Sequence, residues 1–352
     1  MPLLTTTIGA YPKPDYVPTP DWFRSGRTDE LDPSLAYDTF LQKTTGDDIT
    51  PLLDRGVQEV VREQVVLGID IPTDGEVRRE NYIYYHCRHL NGIDFRRLAE
   101  KSMRAGSWQA RVPVVTGPIT PRGHFLPRDW RVAQEAAMGQ PVKMTIPGPL
   151  TITDSIADEY YGDEKRLGAA LADAINAEIR ALADAGCIHI QIDEPVFARE
   201  PQKALDFGFE NLERCFHKVP KEVTRTVHMC CGYPDEVDNE DYPKADPQAY
   251  FQLADAIEYS SIQAVSIEDA HRHNDLALLE KFTKTTVILG VIAIARSRVE
   301  PVDEIAARLE EALQHIDPPR LMAAPDCGLG LLDRRLVVAK LKNMVAAARA
   351  VG

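Results

Sequence analysis

Apolar positions along the chain gather in short runs that break off on polar or glycine-bearing turns. Eight such runs can be read: "LLTTTIGAY", "GIDIPTDGE", "VKMTIPGPL", "CIHIQIDEP", "RTVHMCCG", "QAVSIEDA", "TVILGVIAI" and "RLMAAPDCGLG". Their length and their β-branched residues predict buried strands. Between most of them the pattern changes to helical spacing. The stretch "DEKRLGAALADAINAEIRALADAG" (163–186) carries alanine and leucine at that spacing and stops on Gly186, and "VDEIAARLEEALQHI" (302–316) repeats the pattern.

Strands that alternate with helices pair in parallel through crossovers. Eight units in a chain of this length predict an α/β fold, a (β/α)8 TIM barrel, with a doubly wound open sheet as the alternative. The strand ends favour the barrel, because Gly9, Glu76, Asp193, His228, Glu268 and Cys327 all fall at or just past C-terminal ends. Barrel enzymes build their active sites on that face. The expectation is a single catalytic domain over 1–352 with two departures. Residues 88–140 are irregular and predict a hairpin or excursion between the second and third strands. The acidic, aperiodic stretch "GYPDEVDNEDYPKADPQ" (232–248) predicts a long loop or lid over the fifth strand's end.

Charge narrows the partners. Forty basic against 54 acidic residues give a formal net charge of −14, which argues against a phosphate backbone or an anionic lipid surface. The N-terminal "MPLLTTTIGAYPKPDY" lacks a basic start and a continuous apolar stretch, and no apolar run reaches the roughly eighteen residues of a membrane span. The expectation is a cytoplasmic protein with neither nucleic acid nor membrane as partner. Six cysteines, at 87, 187, 215, 230, 231 and 327, have neither the density of a disulfide framework nor the paired CxxC of a zinc ribbon.

Chemistry concentrates in "TVHMCCG". Side chains alternate faces along a strand, so His228 and Cys230 share one face while Met229 and Cys231 share the other. An imidazole and a thiolate on one face at a strand end are two ligands for a borderline-soft metal such as zinc. Glu268 ends the next strand and Cys327 the last, and these would complete a tetrahedral set of one nitrogen, one oxygen and two sulfurs. Such a net anionic site suits activation of a bound thiol better than of water.

The ordered motifs "TTTIGAYP", "DGEVRRENY", "IHIQIDEP", "VHMCCG", "VSIEDAHRHNDLALLEKF" and "PDCGLG" resemble, over nearly the whole chain, the catalytic C-terminal barrel of the cobalamin-independent methionine synthase family, here as a short single-barrel member. The resemblance implies a zinc-dependent transferase in which a metal-bound thiol attacks an alkyl carbon. It implies His228, Cys230, Glu268 and Cys327 as the Zn²⁺ ligands. It further implies Ile8, Gly9 and Ala10, with Glu76 and Asp193, as the residues that hold an amino-acid thiol, homocysteine in that family.

Departures from the family pattern concern the methyl donor. No tryptophan stands in "PGPLTITDSIADEYYGD", where the family stacks its pterin, and Trp22, Trp108 and Trp130 lie elsewhere. Ala295, with Arg296 and Arg298 beside it, occupies the place of the family's proton-donating histidine, and alanine cannot be a general acid. His271 and His273 are the remaining candidates for a catalytic proton donor. These departures point to methyl transfer to homocysteine from a donor other than folate, such as a methyl-carrier protein. Two alternatives stay open: thiol transfer to another electrophile, as in epoxyalkane:coenzyme M transferases, and a non-catalytic barrel that binds zinc or a thiol.

Overall fold

A computed structural model of the chain describes residues 2–21, 23, 33–103, 108–239 and 241–351. Ten strands lie among the described residues: β1 (Leu4–Thr5), β2 (Leu90–Met103), β3 (Trp108–Pro121), β4 (Lys143–Pro147), β5 (Ala157–Asp158), β6 (His189–Asp193), β7 (Thr224–Met229), β8 (Ala264–Ile267), β9 (Thr286–Ile292) and β10 (Leu321–Pro325). Seven of them form one sheet, parallel throughout, in the order β1-β10-β9-β8-β7-β6-β4. This is a mixed α/β fold built on a curled parallel sheet.

The second apolar run, 68–76, forms no strand of its own. Ile71 makes a single parallel bridge to Thr6, and Thr73 makes one to Lys143. The segment therefore lies between the two edge strands of the sheet, β1 and β4. Two features of its sequence surroundings limit its pairing. Pro72 has no N–H to donate, and Gln64, on the preceding helix Thr50–Leu67, takes the backbone groups of Thr73. The Gln64 Oε1 accepts from the Thr73 N–H at 3.1 Å, and its Nε2 donates to the Thr73 carbonyl at 2.9 Å. A side chain thus stands in for part of a ladder.

Alternation along the strands sorts residues onto two faces. Val227, Val265, Val287, Leu289 and Ala323 join the large apolar core between sheet and helices. Their neighbours Ala264, Ile288, Met322 and Ala324 belong to a small second cluster with Ile8 and Ile71 on the sheet's inner face. Polar residues on that inner face, Thr145, Gln191, Thr226 and Ser266, are also buried, and they lead toward the C-terminal strand ends.

The helix predicted over 163–186 runs Glu164–Ala185. Asp163 caps it, accepting from the backbone N–H groups of Lys165 at 2.8 Å and Arg166 at 3.1 Å, and Gly186 ends it at φ 107°. Asp163→Ala is expected to lower unfolding stability by about 1 kcal/mol, read as a smaller denaturant midpoint at an unchanged slope. Residues 88–140 hold the antiparallel β2–β3 hairpin and the helix Leu126–Ala136, and β5 pairs in parallel with β3. Among the described residues no helix is long and apolar enough to cross a membrane.

Candidate active site

A cavity of about 310 Å³ opens at the C-terminal ends of the parallel strands. Its walls come from Ile8, Gly9 and Ala10 after β1, Glu76, Asp193 at the end of β6, His228 and Cys230 at the end of β7, and Cys327 and Gly328 after β10. Tyr82, Arg199, Tyr233 and Lys244 also line it.

His228, Cys230 and Cys327 bring one ligand atom each to within 4.8 Å of one another. The imidazole is oriented from behind: Nδ1 lies 2.9 Å from the Ser266 hydroxyl, and Nε2 lies 3.4 Å from Cys327 Sγ. The two thiols ionise as a pair. Cys230 is held well below the ordinary thiol range because Cys327 hydrogen-bonds to it and His228 lies beside it. Cys327 is pushed well above that range by the same bond and by burial.

Glu268 is buried and lies outside this group of three. Burial, and after it the charge on nearby Cys230, push its carboxyl well above the usual range, so a cation here would relieve a real electrostatic cost. One imidazole nitrogen and two sulfurs in close approach, with a buried carboxyl at hand, fit a borderline-soft divalent metal.

Cys231 belongs elsewhere. Its side chain joins the outer core, and its thiol donates to the Tyr250 hydroxyl at 3.2 Å. Burial pushes that thiol up to about 12.

On another wall stand two buried carboxylates. Glu76 sits in the left-handed region at φ 55°, and its Oε1 accepts from Thr145 Oγ1 at 2.8 Å and from Arg79 Nη1 at 3.1 Å. A Cβ at Gly9 would lie 2.8 Å from that oxygen, so any larger residue in the first turn would displace the Glu76 carboxylate from its place. Asp193 Oδ1 accepts from Gln191 Nε2 at 2.7 Å, and the same amide nitrogen donates to the Ile8 carbonyl at 2.7 Å. The Asp193 carboxyl is pushed up to about 7, by burial first and by Glu76 as well, although His228 and Gln191 pull the other way. Burial also raises Glu76, against the pull of Arg79. Two such groups close to one another suit a cationic guest.

Other residues singled out in the sequence do not reach the cavity. His271 is tied to Asp326 through Nδ1 at 2.8 Å, His273 is exposed on the surface, and neither lines the cavity. Ala295 is buried, and its carbonyl accepts from the Asp238 N–H at 2.6 Å. Arg296 donates to the carbonyls of Ala270 and His271, both at 3.3 Å, and Arg298 pairs with Glu304. Trp130 packs near Gly186, and Trp22 lies outside the described residues. The acidic loop reaches the site: Pro243, Lys244, Ala245 and Asp246 line the cavity, and the Ala245 N–H donates to the Cys231 carbonyl at 2.8 Å. Glu194, beside Asp193, instead caps the helix Pro149–Ser155 through the Leu150 and Thr151 N–H groups at 3.0 and 2.9 Å.

Sequence reasoning missed Gln191, Tyr82, Arg199, Tyr233 and Lys244. Gln191 was within reach, because it stands two positions before Asp193 and strand alternation puts both on one face. The others sit on irregular segments or short helices, where no periodicity reports direction.

A family model described as "Cobalamin-independent synthase, Catalytic domain" matches residues 3–350. The methionine synthase of Sulfolobus acidocaldarius is 29% identical over 345 residues, which cover 97% of this chain and 90% of that protein. That of Thermococcus kodakarensis is 29% identical over 355 residues, covering 98% and 92%. The structure of a B12-independent methionine synthase from Shewanella sp. W3-18-1 in complex with selenomethionine superposes with a TM-score of 0.84 at 26% identity, covering 99% of this chain and 98% of that one.

Proposed function

This chain belongs to the cobalamin-independent synthase catalytic-domain family, and from that premise we propose that it is a methyltransferase acting on the sulfur of homocysteine to give methionine. One observation carries the reading: the His228, Cys230 and Cys327 group and the Glu76 and Asp193 pair line the same cavity. Homocysteine carries a soft sulfur at one end and an ammonium at the other. The cavity offers a fitting partner for each.

His228, Cys230, Cys327 and Glu268 would hold Zn²⁺ as one nitrogen, two sulfurs and one oxygen. Bound there, zinc supplies thiol acidity, favouring the thiolate of an incoming substrate at neutral pH. Glu76 and Asp193 bind the substrate ammonium, which offsets the cost of burying two carboxylates that repel one another. The amides of the turn at Ile8, Gly9 and Ala10 take the substrate carboxylate, as exposed backbone N–H groups do. Gln191 links the two arms of this cradle by bonding both Asp193 and the Ile8 carbonyl. The amino acid is thereby held at its polar end, and its sulfur extends toward the cysteines.

Closure of the sheet into eight staves belongs to the same reading, with the segment at Ile71 and Thr73 as the remaining stave between β1 and β4. Its two bridges support this. The whole chain then acts as one catalytic domain, with the β2–β3 hairpin and the 232–248 loop as additions to it.

The methyl donor is read as a carrier other than folate. Ala295 is buried beneath the acidic loop, and among the described residues His228 is the one histidine in the cavity lining. No imidazole is left over to protonate an amine leaving group. The test supplies the metal-loaded protein and homocysteine with methylcobalamin, methyltetrahydrofolate or simple epoxides in turn, and methionine is quantified. Methionine is expected with the corrinoid-bound methyl group and not with the folate. Turnover with methyltetrahydrofolate would overturn the donor reading, and thioether formation from an epoxide alone would overturn the methyl-transfer reading.

A further inference from the structure

Behind the thiol cluster, side-chain hydrogen bonds tie three strand exits together. The hydroxyl of Tyr250, on the helix Ala249–Tyr259, donates to the Met229 carbonyl at 2.7 Å and accepts from the Glu268 N–H at 3.1 Å. One phenol therefore spans the exits of β7 and β8. At one end it holds the residue before Cys230, and at the other it holds Glu268 itself.

Asp326, the residue before Cys327, is fully buried. Its Oδ1 accepts from the N–H groups of Asp269 and Ala270, both at 2.9 Å, and its Oδ2 accepts from the His271 N–H at 2.7 Å and the His271 ring at 2.8 Å. One carboxylate thus organises the three residues after Glu268. Strand β9 leaves room for it, because a Cβ at Gly290 would lie 2.2 Å from Asp326 Oδ1.

These bonds converge on the donor that the sheet does not place. β8 ends at Ile267, so Glu268 stands past the ladder, and it lies outside the 4.8 Å group formed by His228, Cys230 and Cys327. Its backbone is fixed by Tyr250 at its own N–H and by Asp326 at the next three.

We propose that Tyr250 and Asp326 are positioning residues that set the reach of the Glu268 carboxylate toward the two thiols, and so complete the metal site as a four-donor set. This rests on the metal reading above. The Cys231 thiol, which donates to Tyr250, is a lesser support of the same tether.

Cobalt(II) titration of the chelator-stripped full chain tests it, because sulfur-to-metal charge-transfer bands report the thiolates and the d–d bands report the rest of the coordination sphere. Tyr250→Phe removes one oxygen, and Asp326→Asn puts an amide donor against the N–H groups it must accept. Both variants are expected to keep the charge-transfer bands, shift the d–d bands toward those of Glu268→Ala, and weaken zinc binding about 10- to 100-fold in chelator competition. Wild-type d–d bands and zinc affinity within twofold of wild type in Tyr250→Phe would overturn the proposal, even if its denaturation midpoint fell. Tyr250→Phe keeps the test decisive if Asp326→Asn does not fold. Absence of charge-transfer bands in the wild-type protein would instead overturn the metal reading on which the proposal rests.

Discussion

Cys230→Ser and Cys327→Ser are each expected to lose bound zinc, whereas Cys231→Ser keeps it. Structural zinc sites bind with roughly 10–16 kcal/mol, so one of four donors accounts for about 2.5–4 kcal/mol, or roughly 10²–10³ in affinity. Serine offers a weaker, protonated oxygen in place of a thiolate. The neighbouring cysteines differ in face and in company. The Cys230 and Cys327 sulfurs belong to the close group with His228, while the Cys231 thiol sits in the outer core against Tyr250. A serine at 231 can still donate to that phenol, so the variant is expected to fold and to bind metal. Elemental analysis of the three purified variants checks this, and equal loss in Cys231→Ser would overturn the face assignment.

The second large effect concerns the amine end of the cavity. Asp193→Asn and Glu76→Gln are each expected to raise KM for homocysteine with little change in kcat, since an ammonium remote from the reacting sulfur is bound alike in ground and transition states. Truncating one partner of a buried charge pair costs about 2–5 kcal/mol, which is roughly 30- to several-thousand-fold in kcat/KM. A desamino thiol, 4-mercaptobutyrate, separates binding from general damage. Wild type should prefer homocysteine strongly, and the preference should collapse in either variant. A preserved preference would show that neither carboxylate meets the ammonium.

The same variants carry a stability signature of opposite sign. Asp193 is raised to about 7 in the folded protein, above its ordinary value near ~3.9. Between those values the folded state holds the proton more tightly than the unfolded chain, so this group's contribution to stability falls as pH rises through the window. Asparagine has no charge to bury. Asp193→Asn is therefore expected to flatten that fall in metal-free protein, measured as denaturation midpoints between pH 4 and 7.

How far the sequence foretold this molecule depended on the kind of bond involved. The alternation in "TVHMCCG" separates Cys230 from Cys231 because strand geometry is local, and the helix from Glu164 to Ala185 carries its cap and stop in Asp163 and Gly186. The run at 68–76 looks like any other strand, yet Gln64 takes over the Thr73 backbone groups, a substitution that no apolar pattern records. Asp326 is hidden for the same reason. Its four bonds reach residues 55 to 57 positions away, and what the sequence displays is an aspartate in a turn. His271 follows Glu268 closely in the chain, yet its Nδ1 turns to that same aspartate and the residue stands outside the cavity lining, a placement that nearness in sequence does not report.

On this reading a substrate thiol binds at the metal held by His228, Cys230, Cys327 and Glu268. The most direct measurement is zinc-edge X-ray absorption of the zinc-loaded protein before and after homocysteine is added. One additional sulfur scatterer is expected in the zinc shell when homocysteine is present. An unchanged sulfur count at saturating homocysteine would contradict it.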